Sequence, residues 1–265
     1  MPDSPRWRRR AAALSLLPLV AAAAACGSSG PTTVTVLASS ALTEVFGELG
    51  AAYGQSHRDV RISARFMPSA EAASDVAGRD AADVLVTADQ GSLDSSVQDR
   101  LTGHRRAVAG TGLTIAVAPG NPRRIRGLAD LSRPGLRVVV GAAVTPVGRY
   151  ARQVTARAGV SARWAAEEVG SRAVLDRVRS GEADAGLVYV TDLRSAGVAA
   201  SSVPIPTADN VVATFSAAVA KGDHEDRATT FVNWLTTPPA TRLFAKYGFL
   251  TGGQPQATTN TTGPP

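Results

Sequence analysis

Thiols, imidazoles and lysines are almost absent from this sequence: it has one cysteine, three histidines, and only Lys221 and Lys246 as lysines. A lone cysteine forms no disulfide within the chain. His57, His104 and His224 have no cysteine or second histidine at metal-ligand spacing, so no bare-cation site is expected. The G-x-S-x-G elbow, the P-loop and the Gly-rich dinucleotide fingerprint are missing, so a nucleotide enzyme lacks its most readable parts. Aromatics make up 5% of the residues and no Lys/Arg stripe interleaves with them, which argues against a nucleic-acid surface. Neither a cofactor nor an enzymatic activity is expected.

The 265 residues are 44% hydrophobic and 19% charged, which suits a globular protein. Arg6, Arg8, Arg9 and Arg10 precede an apolar run from Ala11 to Ala25, and these are the proportions of a signal peptide over residues 1–25. The run is too short for a comfortable membrane span. It ends in Ala-Ala-Ala-Cys-Gly (residues 23–27), which resembles a bacterial lipobox. That resemblance implies lipidation of Cys26, a polar tether over 26–31, and an extracytoplasmic location anchored to the cell membrane. Sec or twin-arginine export both remain open. The four arginines and Asp3 leave with the leader, so the formal charge of +6 falls to about +3 in the mature chain. A mild positive field of this size helps to attract an anion.

From Thr33 onward, short β-branched runs alternate with longer amphipathic stretches, the pattern of βαβ units in an α/β fold. Strands are expected at 33–37, 60–66, 83–87, 113–118, 137–141, 185–189 and 211–220. Helices are expected at 42–54, 70–77, 91–97, 148–158, 172–180, 225–235 and 239–247. The chain is expected to cross between two lobes near Gly110-Thr111-Gly112 and to return after Pro204 and Pro206. This assigns 32–112 plus 211–250 to one lobe and 113–210 to the other. The Thr-, Gly- and Pro-rich tail 251–265 is expected to be disordered.

Small hydroxyl residues stand where strands hand over to helices: Ser39-Ser40, Ser69, Thr145 and Ser171. A helix N-terminus offers unpaired N–H groups and partial positive charge, and a serine hydroxyl adds a neutral donor. Any single serine there is an ordinary N-cap. Their recurrence after successive strands places them at the carboxyl ends of a parallel sheet, where ligands of open α/β sheets bind.

Six blocks carry a family resemblance: Val34-Thr-Val-Leu-Ala-Ser-Ser-Ala-Leu-Thr-Glu44, Ala82-Asp-Val-Leu-Val-Thr-Ala-Asp89, Val117-Ala-Pro-Gly-Asn-Pro122, Pro146-Val-Gly-Arg-Tyr-Ala151, Ser180-Gly-Glu-Ala-Asp-Ala-Gly-Leu-Val-Tyr189 and Phe244-Ala-Lys-Tyr-Gly-Phe249. In this order, over residues 33–250, they resemble the periplasmic molybdate-binding proteins of ABC importers. The resemblance implies a two-lobe periplasmic-binding-protein fold with crossover strands, closing on molybdate or tungstate held by neutral donors. It implies a membrane permease as partner, and the chain is expected to act as a monomer. The implied contacts fall on Ala41, Ser69, Val147, Ser171 and Tyr189. Ala41 stands where the family usually has a serine, and Ser40 beside it is the local substitute. Another tetrahedral oxyanion, sulfate or phosphate, is the alternative ligand, favoured by an inward-pointing Arg149 or Arg172. From other classes, an exported hydrolase would need an acid/base pair near Ser69, which the site-forming loops lack. A protein-interaction lipoprotein would be indifferent to every oxyanion.

Overall fold

The computed structural model describes residues 30–78, 82–94, 97–196 and 200–251. The predicted leader, Cys26, most of the tether and the expected tail past Thr251 lie outside the described residues.

The order is β1 (Thr32–Ser39), α1 (Thr43–Ser56), β2 (Val60–Met67), α2 (Ser69–Ala77), β3 (Val84–Thr87), β4 (Leu101–Val117), β5 (Val138–Gly141), α3 (Pro146–Arg157), β6 (Trp164–Glu168), α4 (Ser171–Arg179), β7 (Ala185–Tyr189), α5 (Val190–Ala196), β8 (Ser201–Pro204), β9 (Val212–Ala220), α6 (Glu225–Trp234) and α7 (Pro238–Lys246). The strands form one mixed sheet in the order β2-β1-β3-β9-β4-β7-β5-β6, with β8 also on β4. Pairing is parallel among β1, β2 and β3 and among β5, β6 and β7, and antiparallel along β4 and β9. Parallel strands need helical crossovers that cover both faces, so β3, β5 and β7 are buried at every residue.

Strand β4 ties the sheet together. It pairs with β9 as far as Gly112, and from Leu113 onward with β7 and β8. At the change of partner, the Asn210 carboxamide accepts from the Leu113 N–H and donates to the Leu113 carbonyl, at 3.1 and 2.8 Å. A side chain thus fills the rung between β8 and β9, leaving neither backbone group of Leu113 unsatisfied.

The helices begin where chemistry allows. Thr145 caps α3 by accepting from Gly148 N, with Pro146 in the first turn. Gly148 is obligatory there: a Cβ would lie 2.0 Å from the Ala142 carbonyl oxygen. Helix α1 buries Val45, Phe46, Leu49 and Tyr53, and Tyr53 meets Phe231 of α6 edge-on at 5.0 Å.

All seven expected strands are present. Among the described residues of the helix expected over 91–97, Gly91 to Asp94 form turns instead, because Asp89 Oδ1 accepts from Ser92 N and offers the backbone an alternative to a helical ladder. Strand β4 begins at Leu101 rather than 113, and it runs unbroken through Gly110–Gly112 to the change of partner at Leu113. Strands β6 and β8 and helix α5 are additional to the seven strands and seven helices expected from the sequence.

Candidate functional site

A small cleft lies at the carboxyl ends of β1, β2, β3, β5, β6 and β7. It is lined by Ser39, Ser40, Pro68, Ser69, Ala88, Thr145, Pro146, Val147, Val169, Gly170, Ser171 and Tyr189. Five of the six predicted contacts, Ser40, Ser69, Val147, Ser171 and Tyr189, are therefore brought together. Ala41 is not among the lining residues. It is 5% exposed and its methyl joins the main core, leaving Ser39 and Ser40 to face the cleft. The enclosed space is about 10 Å³, roughly one water, so a tetrahedral anion enters only as the walls part.

The donors are built in layers. Ser69 and Ser171 are the first residues of α2 and α4, and neither helix has a side-chain cap. Their first-turn N–H groups therefore point toward the cleft without a capping oxygen. Ser69 Oγ accepts from Ala88 N at 3.1 Å, which leaves its own hydrogen free to donate. Thr145 differs: its hydroxyl accepts from Gly148 N and donates to the Ala142 carbonyl, so its hydrogen is committed within the loop. Val147 is 2% exposed, and its part in the cleft is its side-chain wall and its place in the first turn of α3.

Tyr189 ends β7 with its side chain buried, packed edge-on to Phe215 at 5.8 Å. Its hydroxyl has no hydrogen-bond partner among the described residues. Burial, and then the charge of Asp192, push its pKa well above the usual phenol value, so it remains a neutral donor. A buried unpaired hydroxyl is costly, and a bound acceptor would remove the cost.

Both arginines at the rim are engaged. Arg149 of α3 is hydrogen-bonded through Nε (2.9 Å) and Nη2 to Asp89, which follows β3, and through Nη1 to the Val144 carbonyl. Arg172 of α4 pairs through Nη2 with Glu44 of α1, while its buried Nε has no hydrogen-bond partner among the described residues. Each cation is matched by a carboxylate from across the cleft, so the donors facing the space are neutral.

Behind the cleft lies Asp192 of α5, 2% exposed. Its Oδ2 accepts from the Tyr189 N–H at 3.1 Å, a reach from the third helical residue back to the residue before the helix, like half a capping box. Burial pushes its pKa up to about 6, against the opposing effects of the Ser171 hydroxyl, Arg172 and the Tyr189 N–H.

A larger cavity of about 360 Å³ sits at the opposite ends of the strands, beside Thr35, Asp83, Arg100, Lys221 and His224. Three of its polar side chains are already engaged. Asp83 accepts from Thr35 N and His224 Nδ1, and Lys221 Nζ donates to the Asp99 carbonyl. The smaller cleft has the better claim because it holds the unpaired donors and lies where strands hand over to helices.

Residues 34–250 match the model of the bacterial extracellular solute-binding proteins. The chain belongs to this family. Among curated proteins, this solute-binding protein is 33% identical to the molybdate-binding protein ModA of Mycobacterium tuberculosis, over 92% of the chain and 98% of the relative. It is 25% identical to ModA of Escherichia coli, over 82% and 88%. Among solved structures, the periplasmic molybdate-binding protein of Azotobacter vinelandii superposes with a TM-score of 0.65 at 20% identity, over 84% of this chain and all of that one. The sulfate-binding protein SubI of M. tuberculosis gives 0.71 at 20% identity, over 82% and 86%. The fold of this solute-binding protein is thus the α/β periplasmic-binding-protein fold with crossover strands. Among the described residues no helix is long and apolar enough to cross a membrane.

Asp192, and the carboxylates that engage Arg149 and Arg172, escaped the reading of this solute-binding protein's sequence. The pairs join residues 60 and 128 positions apart, which no local pattern reveals. For Asp192 a signal existed in the Tyr-x-x-Asp spacing at the end of a buried strand.

Proposed function

We propose that the protein captures molybdate, or the nearly equal-sized tungstate, outside the cytoplasm and delivers it to the permease of an ABC importer. The single observation behind this choice is a cleft of neutral donors whose neighbouring arginines are already paired. A fully ionised tetrahedral dianion needs donors only, whereas a protonated phosphate needs an acceptor or a charged partner as well. In this reading Ser40, Ser69, Ser171, Tyr189 and the first-turn N–H of Val147 hold the anion, with Ala41 contributing at most its backbone. Residues 32–112 with 211–250 and residues 113–210 act as two lobes that close on it by hinge motion. Lipidated Cys26 tethers a monomer to the membrane, and Cys26→Ala releases a folded protein into the soluble fraction.

Sulfate is the competing ligand, since it too is a fully ionised tetrahedral dianion. A thermal-shift panel of molybdate, tungstate, sulfate, phosphate and chromate on protein lacking residues 1–26 separates the readings. An excess of about 100 Kd of the true ligand adds about 2.7 kcal/mol of stability. Ser69→Ala removes a donor worth about 1.5–3 kcal/mol and lowers affinity roughly tenfold to a hundredfold. Stabilisation by sulfate or phosphate alone defeats the molybdate assignment.

A further inference from the structure

Two polar groups with no hydrogen bond of good geometry among the described residues stand one behind the other at the end of β7: the Tyr189 hydroxyl in the cleft wall and Asp192 Oδ1 behind it. The Ser171 hydroxyl lies beside the same carboxyl and stabilises its charged form. Ser171 also lines the cleft. One hydroxyl therefore serves two neighbours, and it has a single hydrogen to give.

We propose that Asp192 is a proton-linked positioning residue: when protonated it donates to Ser171 Oγ and turns the serine hydrogen toward the cleft, so that oxyanion capture takes up a proton. This inference rests on the oxyanion reading of the cleft. With Asp192 ionised, Ser171 donates to the carboxylate and shows only lone pairs to the anion, acceptor against acceptor. With Asp192 protonated, the order becomes Asp192 O–H to Ser171 Oγ, then Ser171 O–H to the anion. The proton comes from solvent and rests on Asp192. No bond other than O–H is made or broken.

The charges around Asp192 agree with this. Arg172 on α4 favours the carboxylate, but Glu44 on α1 is engaged with that guanidinium and opposes it. From β7 only the Tyr189 N–H reaches the carboxyl. Beyond Tyr189 stand Tyr150, Asp89 and Arg149, the last two paired with each other. A bound dianion adds negative charge on the cleft side of Ser171, where the two neighbouring arginines, Arg149 and Arg172, are each already paired with a carboxylate. Repulsion then raises the proton affinity of Asp192 above that of the empty protein. The histidines sit elsewhere: His57 stacks on Tyr53, His104 is hydrogen-bonded to Asn233, and His224 pairs with Asp83.

The test is titration calorimetry of the mature protein with molybdate near neutral pH, in two buffers of different ionisation enthalpy. Wild type takes up close to one proton per molybdate bound, and its affinity falls up to about tenfold per pH unit as pH rises above the free-state titration. Asp192→Asn keeps an acceptor for Tyr189 N and supplies an amide donor to Ser171, so it binds molybdate with no proton uptake and no such slope. Ser171→Ala removes the relay, binding more weakly and with less proton uptake than wild type. Molybdate heat with no proton uptake in wild type, or uptake that persists in Asp192→Asn, overturns this proposal alone. Absence of molybdate heat in wild type overturns the ligand assignment and this proposal with it.

Discussion

Strand β7 has a buried aspartate at each end. Asp184, immediately before it, is 8% exposed, and Asp192, three residues beyond Tyr189, is 2% exposed. Burial acts to raise both carboxyl pKa values. Asp184 is nevertheless held down to about 2, because the Arg137 guanidinium and N–H and the Arg123 guanidinium all donate to it. Asp192 has one N–H, one neighbouring hydroxyl and an arginine already taken by Glu44, and it stands at about 6. Asp192 is the more deeply buried of the two, and the deeper burial and the smaller supply of donors act together to give shifts of opposite sign. The Asp184 end is a satisfied structural clamp. The Asp192 end carries a residual electrostatic deficit, as do sites shaped for a ligand.

The largest expected effect breaks the clamp. Asp184→Ala leaves the Arg137 N–H without its acceptor and two arginines without their carboxylate, and should lower stability by about 2–3 kcal/mol in urea unfolding. The arginines are 53% and 52% exposed, which keeps the loss below that of a fully buried pair. Molybdate affinity should be unchanged, since the residue lies at the far end of β7.

Next, Asp192→Asn removes the deficit and should change stability in the opposite direction. A folded-state pKa of about 6 above an unfolded value of 3.8 means that the folded state holds its proton longer. Stability is then greatest below the unfolded value and falls as pH rises between the two, staying lower beyond. The amide avoids that loss and should gain about 2 kcal/mol near neutral pH. A variant less stable than wild type at pH 7 would show that the carboxylate earns its place by hydrogen bonding.

The two ends should also separate along the pH axis. For Asp184 the folded value lies below the unfolded one, so its contribution of about 2 kcal/mol is present above pH 3.8 and is lost as pH falls toward 2. Melting curves of Asp184→Asn should lose the acid-side slope, and those of Asp192→Asn the decline between about pH 4 and 6. The smallest effect is at the rim. Arg172→Gln breaks a pair whose side chains are 32% and 35% exposed, and should cost about 0.5 kcal/mol in thermal unfolding at moderate salt. It should also bring the Asp192 titration higher, because its one attractive charge is gone.

Much of β7 was legible in the chain itself. Ala185-Gly-Leu-Val-Tyr189 reads as a strand buried on both faces because nothing polar interrupts it, and the serines that open α2 and α4 announce strand-to-helix turns. Strand β6 escaped because Trp-Ala-Ala-Glu-Glu has weak β preference and lies at the sheet edge, where its exposure merely alternates. The false helix at 91–97 arose because its polar residues look helical until the Asp89 side chain captures Ser92 N. Asp184 and Asp192 are indistinguishable by composition. Only the fold brings Arg123 and Arg137 to the one and leaves the other facing a shared hydroxyl.

The Asn210 carboxamide at the change of partner on β4 has a kinetic consequence. The Leu113 amide is shielded by a side chain rather than by a neighbouring strand, so its hydrogen exchange with solvent need not await the unzipping of β9. In deuterated buffer, Asn210→Ala should make that one amide exchange far faster while its neighbours in β4 keep their protection. Ligand that holds the protein closed should slow it again in the wild type, turning a single amide into a clock for opening.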